Sequence, residues 1–177
     1  MRVIAGRLGG RSFSSPHTNR THPMSDKARG ALFNALGELD GLTVLDAFAG
    51  SGACSIEAVS RGASMVQAVD IDPEAVKTIA DNIRTLDLAD EIKLRRANIK
   101  GWLRSHRSEL FDVVLADPPY DDIRPDVLAS LVANVRPGGL FVLSWPGSEP
   151  VREFAGLDVV RHKMHGDIQL VFYRRPD

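Results

Sequence analysis

The sequence predicts a doubly wound α/β fold, in which helices cover both faces of a mostly parallel sheet. Three observations support this prediction. Short apolar runs alternate with helix-like stretches from residue 41 onward, as they do in successive strand–helix–strand units. The run 112–116 is apolar on both faces, as expected of a parallel strand covered by helices. The chain has 177 residues, 44% of them hydrophobic and 25% charged, which suits one globular domain.

Seven apolar runs are the expected strands. The first five, expected to be parallel, are Thr43–Ala47, Met65–Asp70, Ile92–Leu94, Asp112–Ala116 and Leu140–Ser144. Leu157–Arg161 and Ile168–Tyr173 flank Gly166-Asp167 and are expected to form an antiparallel pair. The sequence therefore predicts a seven-stranded sheet that ends in an antiparallel C-terminal strand.

Helical spacing fills the segments between these runs. A first helix is expected over 26–38, because Ser25 suits an N-cap and apolar residues follow at intervals of three and four. Asp72-Pro73 should begin a later helix, with the aspartate as its cap. The other helices are expected over 52–61, 74–86, 99–109 and 123–134.

Residues 1–24 are predicted to be a basic arm, an appendage on a domain formed by residues 25–177. Glycines and prolines interrupt this segment irregularly, so most of it is expected to be loop. Arg2–Ala5 and Arg11–Ser14 can pair as a short hairpin across Gly9-Gly10.

Charge is unevenly distributed although the net charge is −1. Residues 1–30 hold six basic side chains and one acid, Asp26, which leaves 16 basic and 22 acidic side chains in residues 31–177. Such an asymmetry suits either an anionic partner, such as a nucleic acid, or a solubilising tail. The candidates for contact with a nucleic acid are Arg2, Arg7, Arg11, Arg20, His22, Lys27 and Arg29.

Composition argues against several classes of protein. The single cysteine, Cys54, cannot form an internal disulfide or a cysteine zinc site, and the histidines lack metal-ligand spacing, so we expect no metal. The N-terminal apolar run is too short for a signal peptide, and no stretch approaches the roughly 20 apolar residues of a membrane span. We therefore expect a cytoplasmic protein without membrane contact and take a monomer as the working hypothesis.

A glycine-rich turn after the first strand is typical of a cofactor loop. Gly50 and Gly52 let the backbone approach a ligand closely, and the helix that follows offers free N–H groups. Asp70, 18 residues beyond Gly52, ends the second strand, where an acid can bind a ribose diol. Asp46 would attract the ammonium and sulfonium of S-adenosylmethionine but repel the pyrophosphate of NAD. The loop therefore favours S-adenosylmethionine, with a tight structural turn as the alternative.

A second motif, Asp117-Pro118-Pro119-Tyr120, follows the fourth predicted strand. Ligands bind at this end of the strands in open α/β sheets. Two prolines remove backbone N–H groups, so the carbonyls there can accept hydrogen bonds from a substrate, and Tyr120 offers a ring for stacking. Acceptors beside a flat ring suit an exocyclic amino group, because they stabilise the charge that develops as the nitrogen is methylated. A rigid strand-ending turn is the alternative interpretation.

Together these motifs resemble the RsmD family. The resemblance covers nearly the whole chain and is based on Arg2–Gly6, Pro23–Asn34, Leu45–Gly52, Glu57-Ala58, Ser60–Ala63, Asp117–Tyr120 and Gly166-Asp167. It implies a Rossmann-like methyltransferase sheet. It also implies methyl transfer from S-adenosylmethionine, with S-adenosylhomocysteine as product, to the N2 of a guanine in 16S ribosomal RNA. The RNA would be part of the small ribosomal subunit or of an assembly intermediate.

The resemblance further implies roles for single residues. Asp46, Gly50 and Gly52 would hold the amino-acid part of the cofactor, and Asp70 its ribose. The other residues of the implied cofactor site are Phe48, Ile71 against the adenine, Asn98 at the adenine edge, and Asp117. The residues implied to hold the guanine and to be catalytic are Asp117, Pro118, Pro119 and Tyr120.

The chain departs from the family pattern at positions outside these two motifs. The family usually has Arg-Pro-Thr at His22-Pro23-Met24, Glu at Gly30, Glu at Ser144 and Thr at Ile168. These departures bear on target and efficiency rather than on the reaction class. Three alternatives stay open: a DNA or RNA adenine-N6 methyltransferase, an NAD-dependent oxidoreductase, which Asp46 and Ser55 disfavour, and an RNA-binding assembly factor with a vestigial cofactor pocket.

Overall fold

The computed structural model describes residues 1–16, 24–120 and 125–177. Arg20, His22 and the start of the helix predicted over 123–134 lie outside the described residues. The helices are α1 (Asp26–Leu36), α2 (Ala53–Ser60), α3 (Pro73–Leu86), α4 (Ile99–Ser105) and α5 (Pro125–Leu131), followed by a 3-10 turn at Val132–Asn134. The strands are β1 (Thr43–Asp46), β2 (Met65–Asp70), β3 (Ile92–Arg96), β4 (Phe111–Ala116), β5 (Val135–Pro146), β6 (Asp158–His165) and β7 (Ile168–Arg174).

The strands form one seven-stranded sheet in the order β3-β2-β1-β4-β5-β7-β6. β1 to β5 are parallel, and β7 runs antiparallel between β5 and β6. The predicted fold class is confirmed, including the antiparallel C-terminal strand. Because the chain builds outward from β1 in one direction and from β4 in the other, the two central strands form the switch point where such sheets bind ligands.

Local sequence explains where several helices begin and end. The Ser25 hydroxyl accepts a hydrogen bond from the Ala28 N–H, and the Asp72 carboxylate accepts from the N–H groups of Glu74 and Ala75, so both predicted N-caps are confirmed. α4 ends earlier than predicted. The Asn134 amide binds the carbonyls of His106 and Glu109 at 2.8 and 2.7 Å, which holds this segment in a turn.

Apolar side chains bury both faces of the sheet. On one face, α1, α2 and α3 contribute residues such as Phe33, Ile56 and Ile79 to a continuous cluster. On the other face, α4 and α5 pack with residues such as Trp102 and Leu128. Coverage of both faces explains the run of buried residues in β4. None of the helices in the described part of the chain has the length and apolar character needed to cross a bilayer.

Residues 1–16 pack against the sheet domain rather than projecting from it. Val3, Leu8 and Phe13 are buried in the same cluster as α1 to α3. The predicted hairpin pairing is present as an antiparallel bridge between Arg2 and Ser12. This part of the predicted arm is therefore built into the core, while the division of the chain at residue 24 stays a prediction.

Polar contacts fix this segment to α2 and α3. The buried Glu57 carboxylate accepts hydrogen bonds from the backbone N–H groups of Ile4 and Ala5, at 2.8 and 3.1 Å. Gly6 lies so close to α2 that a Cβ there would be 1.8 Å from the Ser60 carbonyl oxygen. The Asn82 amide exchanges two hydrogen bonds of 2.9 Å with the backbone of Ser14.

Candidate active site

The two predicted motifs meet at the carboxyl ends of the central strands. Asp46 at the end of β1 is in register with Leu115 of β4, and the next N–H, that of Ala47, donates to the Leu115 carbonyl at 3.0 Å. Asp117 therefore follows β4 at the same edge at which Asp46 ends β1. Asp70, at the end of β2, lies at this edge as well, since β2 is parallel to β1 on its other side.

The glycine loop is held in a conformation that glycine favours. Gly50 and Gly52 have positive φ values of 54° and 76°. A Cβ on Gly52 would also lie 3.0 Å from the Ile79 side chain of α3, so the loop and α3 pack closely there. The Ala49 N–H donates to the Val69 carbonyl of β2 at 3.0 Å, which fixes the loop across the strand ends.

Asp70 connects the loop to the second strand. One of its carboxylate oxygens accepts from the Gly50 N–H at 2.7 Å, and the other accepts from the Asp72 N–H at 2.8 Å. Each carboxylate oxygen can accept more than one hydrogen bond, so the group can hold the loop and still receive the two hydroxyls of a diol. The acid predicted to bind ribose is therefore oriented before any ligand arrives.

Asp46 is a buried carboxyl group that is 3% exposed. Burial raises its pKa to about 7, the Ser55 hydrogen bond lowers it, and the nearby Asp117 and Asp70 charges raise it further. The Ser55 hydroxyl donates to it at 2.6 Å. A buried carboxylate whose bonded partner is a neutral hydroxyl attracts a cationic group, so the site fits the positively charged amino-acid end of S-adenosylmethionine.

Ser55 is a site residue that the sequence did not reveal. Its position counts against a dinucleotide pattern, which has glycine or alanine there, but its hydroxyl has the positive role of orienting Asp46. The available signal was a small polar residue in the first turn of α2, facing the strand that carries the acid.

The tyrosine and the aspartate of the second motif share one partner, Ser144 of β5. Tyr120 is 39% exposed, and its hydroxyl lies 2.7 Å from the Ser144 Oγ on β5. Burial raises the pKa of Asp117 to about 6, opposed by a hydrogen bond from Ser144. Burial and the Asp117 charge raise the pKa of Tyr120 to about 12, so its hydroxyl stays protonated. Ser144 therefore links the two groups that would hold a substrate, a role the sequence did not reveal.

The comparisons with known proteins decide the family. A family model described as conserved hypothetical protein 95 matches residues 1–174. The chain belongs to this family, the RsmD family. The resemblance inferred from the motifs is confirmed.

Two individual relatives and one solved structure show how far the similarity of this RsmD-family chain extends. It is 36% identical over 135 residues to the Bacillus subtilis protein YlbH, covering 75% of this chain and 73% of that protein. The ribosomal RNA small subunit methyltransferase D of Buchnera aphidicola is 33% identical over 119 residues, 67% of this chain and 62% of the relative. A solved hypothetical protein of Thermus thermophilus superposes with a TM-score of 0.82 at 27% identity, over 97% of this chain and 98% of that one.

The remaining cofactor residues predicted for this RsmD-family site lie on loops and strand ends. Ile71, directly after β2, is 60% exposed, and Phe48 is half-buried within the glycine loop. Asn98 is exposed and caps α4, its side-chain oxygen accepting from the Lys100 N–H at 3.0 Å. Its amide N–H groups are the part suited to an adenine edge. Their contact with a cofactor stays a prediction.

The residues of this RsmD-family chain that were predicted to contact RNA lie in different environments. Arg29 is 0% exposed. Its guanidinium donates to the Arg2 carbonyl at 2.7 Å and pairs with Asp26 at 3.0 Å, and Glu57 lies 3.9 Å away. The expectation that Arg29 contacts RNA is therefore wrong, because the side chain is an interior ion-pair partner that holds the N-terminal segment on α1 and α2.

The other described candidates are exposed to varying degrees. Arg7 forms an ion pair with Glu91, and Arg11 donates to the Thr85 carbonyl at 3.5 Å. Arg2 and Lys27 are exposed. Two of these four cations already contact the protein itself, so the basic N-terminal segment offers fewer free charges than its sequence indicates.

Proposed function

We propose that this chain transfers a methyl group from S-adenosylmethionine to the N2 of a guanine in 16S ribosomal RNA. The observation that supports it most is the convergence of Asp46 and the Asp117–Tyr120 turn at one edge of the sheet. One group suits a cation and the other suits a flat aminated base. Family membership and the name of the Buchnera relative support ribosomal RNA as the substrate.

The residues around the glycine loop would bind the cofactor. Asp46 would pair with its ammonium group, Asp70 would accept hydrogen bonds from its ribose, and the exposed face of Ile71 would lie against its adenine. When bound, S-adenosylmethionine supplies an electrophilic methyl group. Because Asp70 and Gly50 already hold each other, this half of the site would need little rearrangement to bind it.

The second motif would position the base. Tyr120 would stack on the guanine ring, and the Asp117 carboxylate with the neighbouring carbonyls would accept hydrogen bonds from its exocyclic amino group. Asp117 is ionised above a pH of about 6. At neutral pH its negative charge therefore stabilises the positive charge that develops on the nitrogen. A guanine within a helix would have to leave its stack to reach this turn.

A methyl-transfer assay with three acceptors tests the proposal. Labelled S-adenosylmethionine is incubated with the protein and free 16S RNA, small ribosomal subunits or duplex DNA, and the modified nucleoside is identified by mass spectrometry. N2-methylguanosine from RNA is the expected product. N6-methyladenine in RNA or DNA would establish the adenine-N6 alternative. RNA binding without label in any acceptor would establish an assembly factor with a vestigial pocket.

A further inference from the structure

The edge strand β6 is the most exposed strand of the sheet. It lies at one end of the strand order, next to β7, and the residues from Asp158 to Met164 are all exposed. Its sequence contains Arg161, His162, Lys163 and His165. The predicted N-terminal cations are in part bound to the protein itself, so this strand is a second source of exposed positive charge.

Strand register places three of these side chains on one face. Residues paired directly across an antiparallel ladder point to the same side of the sheet. Arg161, Lys163 and His165 pair with Phe172, Leu170 and Ile168, all of which pack in or against the cluster beneath α1 to α3. The Arg161 guanidinium donates to the Ala35 carbonyl of α1 at 3.1 Å, in agreement with this placement. These three side chains are called the β6 row below.

The same register connects the β6 row to the candidate active site. Leu170 pairs with Lys163 on one side and with Ser144 on the other, so Lys163 lies two strand spacings, about 10 Å, from the serine that contacts Tyr120. Ser144 shares its face with Leu170, and therefore with the β6 row. The row runs for about 13 Å along β6, and His165 is at the end nearest the edge that holds the site.

We propose that the β6 row binds phosphates of the substrate RNA beside the base that enters the site. This inference rests on the proposed function and adds the surface on which the RNA lies. Arg161 and Lys163 supply two positive charges and His165 a hydrogen-bonding ring. They lie on the side of the acceptor half of the site, the Asp117–Tyr120 turn with Ser144, rather than of the cofactor half, which is Asp46, the glycine loop and Asp70. Phosphate contacts of this kind set register and orientation without reading sequence.

Basic residues on an edge strand have a second possible role, because charged side chains prevent edges from pairing with another copy of the chain. Charge at any position along the edge strand is enough to prevent such pairing. Phosphate binding beside the site needs the charge on the face shared with Ser144. The opposite edge of the sheet provides the contrast, because β3 carries Lys93 and Arg95, two exposed cations with the same spacing, beside the cofactor half.

The experiment compares two double variants that remove the same charge. R161Q/K163Q changes the β6 row, and K93Q/R95Q is the matched control on β3. Binding of 16S RNA and of small ribosomal subunits is measured over a series of KCl concentrations. The slope of log K against log salt is negative. For R161Q/K163Q we expect its magnitude to decrease by about 2, because two phosphate contacts are lost. The control should keep a slope close to that of the wild type.

Equal changes in the two variants would overturn the inference, since they would reflect net charge alone. An unchanged slope in R161Q/K163Q together with a new dimer in sedimentation would assign the row to edge protection instead. The single variant K163Q leaves the Arg161 contact with α1 intact and is expected to reduce the magnitude of the slope by about 1. The inference can therefore be tested even if the double variant has a folding defect.

Methyl transfer by the wild type separates this inference from the proposed function. A wild type that binds RNA but transfers no methyl group contradicts the proposed function, while the slopes still test the row. A wild type that binds no RNA overturns both. An active wild type with equal slopes in both double variants overturns the row alone.

Discussion

The two halves of the candidate site differ in how tightly the protein holds them. In the cofactor half, hydrogen bonds of 2.6 to 2.8 Å fix Asp46 through Ser55 and tie Asp70 to the backbone of Gly50 and Asp72. In the acceptor half, the hydroxyl of Ser144 is the one side-chain partner that the described residues offer to Tyr120 and Asp117. We infer that the cofactor half is preorganised for binding, whereas the acceptor half is open enough to admit a base.

Replacing Asp117 with alanine gives the largest expected effect. Methyl transfer should fall by at least about a hundredfold, since a group that stabilises developing charge is lost. Binding of S-adenosylmethionine, measured by calorimetry, should stay within a few-fold, because Asp46 and Asp70 remain.

The matched control for Asp117 is D126A, which removes an exposed aspartate of α5 that pairs with Lys100 of α4. It should leave both readouts unchanged. Near-normal turnover in D117A would contradict the division of the site into two halves.

Asp46→Asn tests the cofactor half. Loss of a buried charge should weaken binding of S-adenosylmethionine on the order of tenfold to a hundredfold. A cation binds the ionised carboxylate, and the pKa of Asp46 is about 7 in the free protein. Wild-type affinity should therefore fall as the pH drops below about 7, by up to tenfold per pH unit, because the carboxyl group must first lose a proton.

The variant D46N should lack this pH dependence, and titration calorimetry at several pH values measures it. S55A serves as a graded control. It removes the hydrogen bond that lowers the pKa of Asp46, so the pH dependence should move to higher pH. A wild-type affinity that is flat across this range would show that Asp46 does not meet the cationic end of the cofactor.

The strand–helix order could be predicted from the sequence because periodicity is a local property. The same is true of the glycine loop and of the Asp117–Tyr120 turn, since each motif is a continuous stretch of chain. Contacts between distant residues could not be predicted. Ser55 meets Asp46 and Ser144 meets Tyr120 only after the sheet has formed. The small polar position of Ser55 in the first turn of α2 is a weak signal, and Ser144 has no local pattern that indicates its contact.

Arg29 shows where the charge pattern was misleading. Counting basic residues in the N-terminal segment treats each as free, but Arg29 lies four residues before the buried Phe33, on the inner face of α1. The helical period already placed it there, and Glu57 supplies its buried partner. Deleting the N-terminal segment would therefore be a poor test of RNA binding, because it removes Val3, Leu8 and Phe13 from the core.

Ser144→Ala tests the looser half and should have a moderate effect. Losing the hydroxyl that contacts both Tyr120 and Asp117 should lower kcat about fivefold, with unchanged affinity for S-adenosylmethionine. Ser144 lowers the pKa of Asp117, so the acidic limb of the pH–rate profile should move to higher pH in S144A. A purely structural role would reduce the rate without moving that limb.

Two further variants sharpen this result. S144T keeps a hydroxyl and should restore the wild-type pH–rate profile. S148A removes the hydroxyl of an exposed serine that follows the end of β5 and should change nothing. If S144A and S148A behave alike, the acceptor half does not depend on Ser144.

The smallest effect concerns stability of the free protein. The folded-state pKa of Asp46, about 7, lies above its ordinary value of 3.8, so the folded chain holds a proton that the unfolded chain releases between these values. Stability should therefore decline as the pH rises through this window. In D46N the difference in Tm between about pH 5 and about pH 8 should shrink by a few degrees.

Asp117, whose pKa is about 6, should still give D46N a smaller dependence of the same sign. The exposed-site variant D90N should match the wild type in thermal scans, and an unchanged difference in D46N would place the ionisation outside the cofactor half.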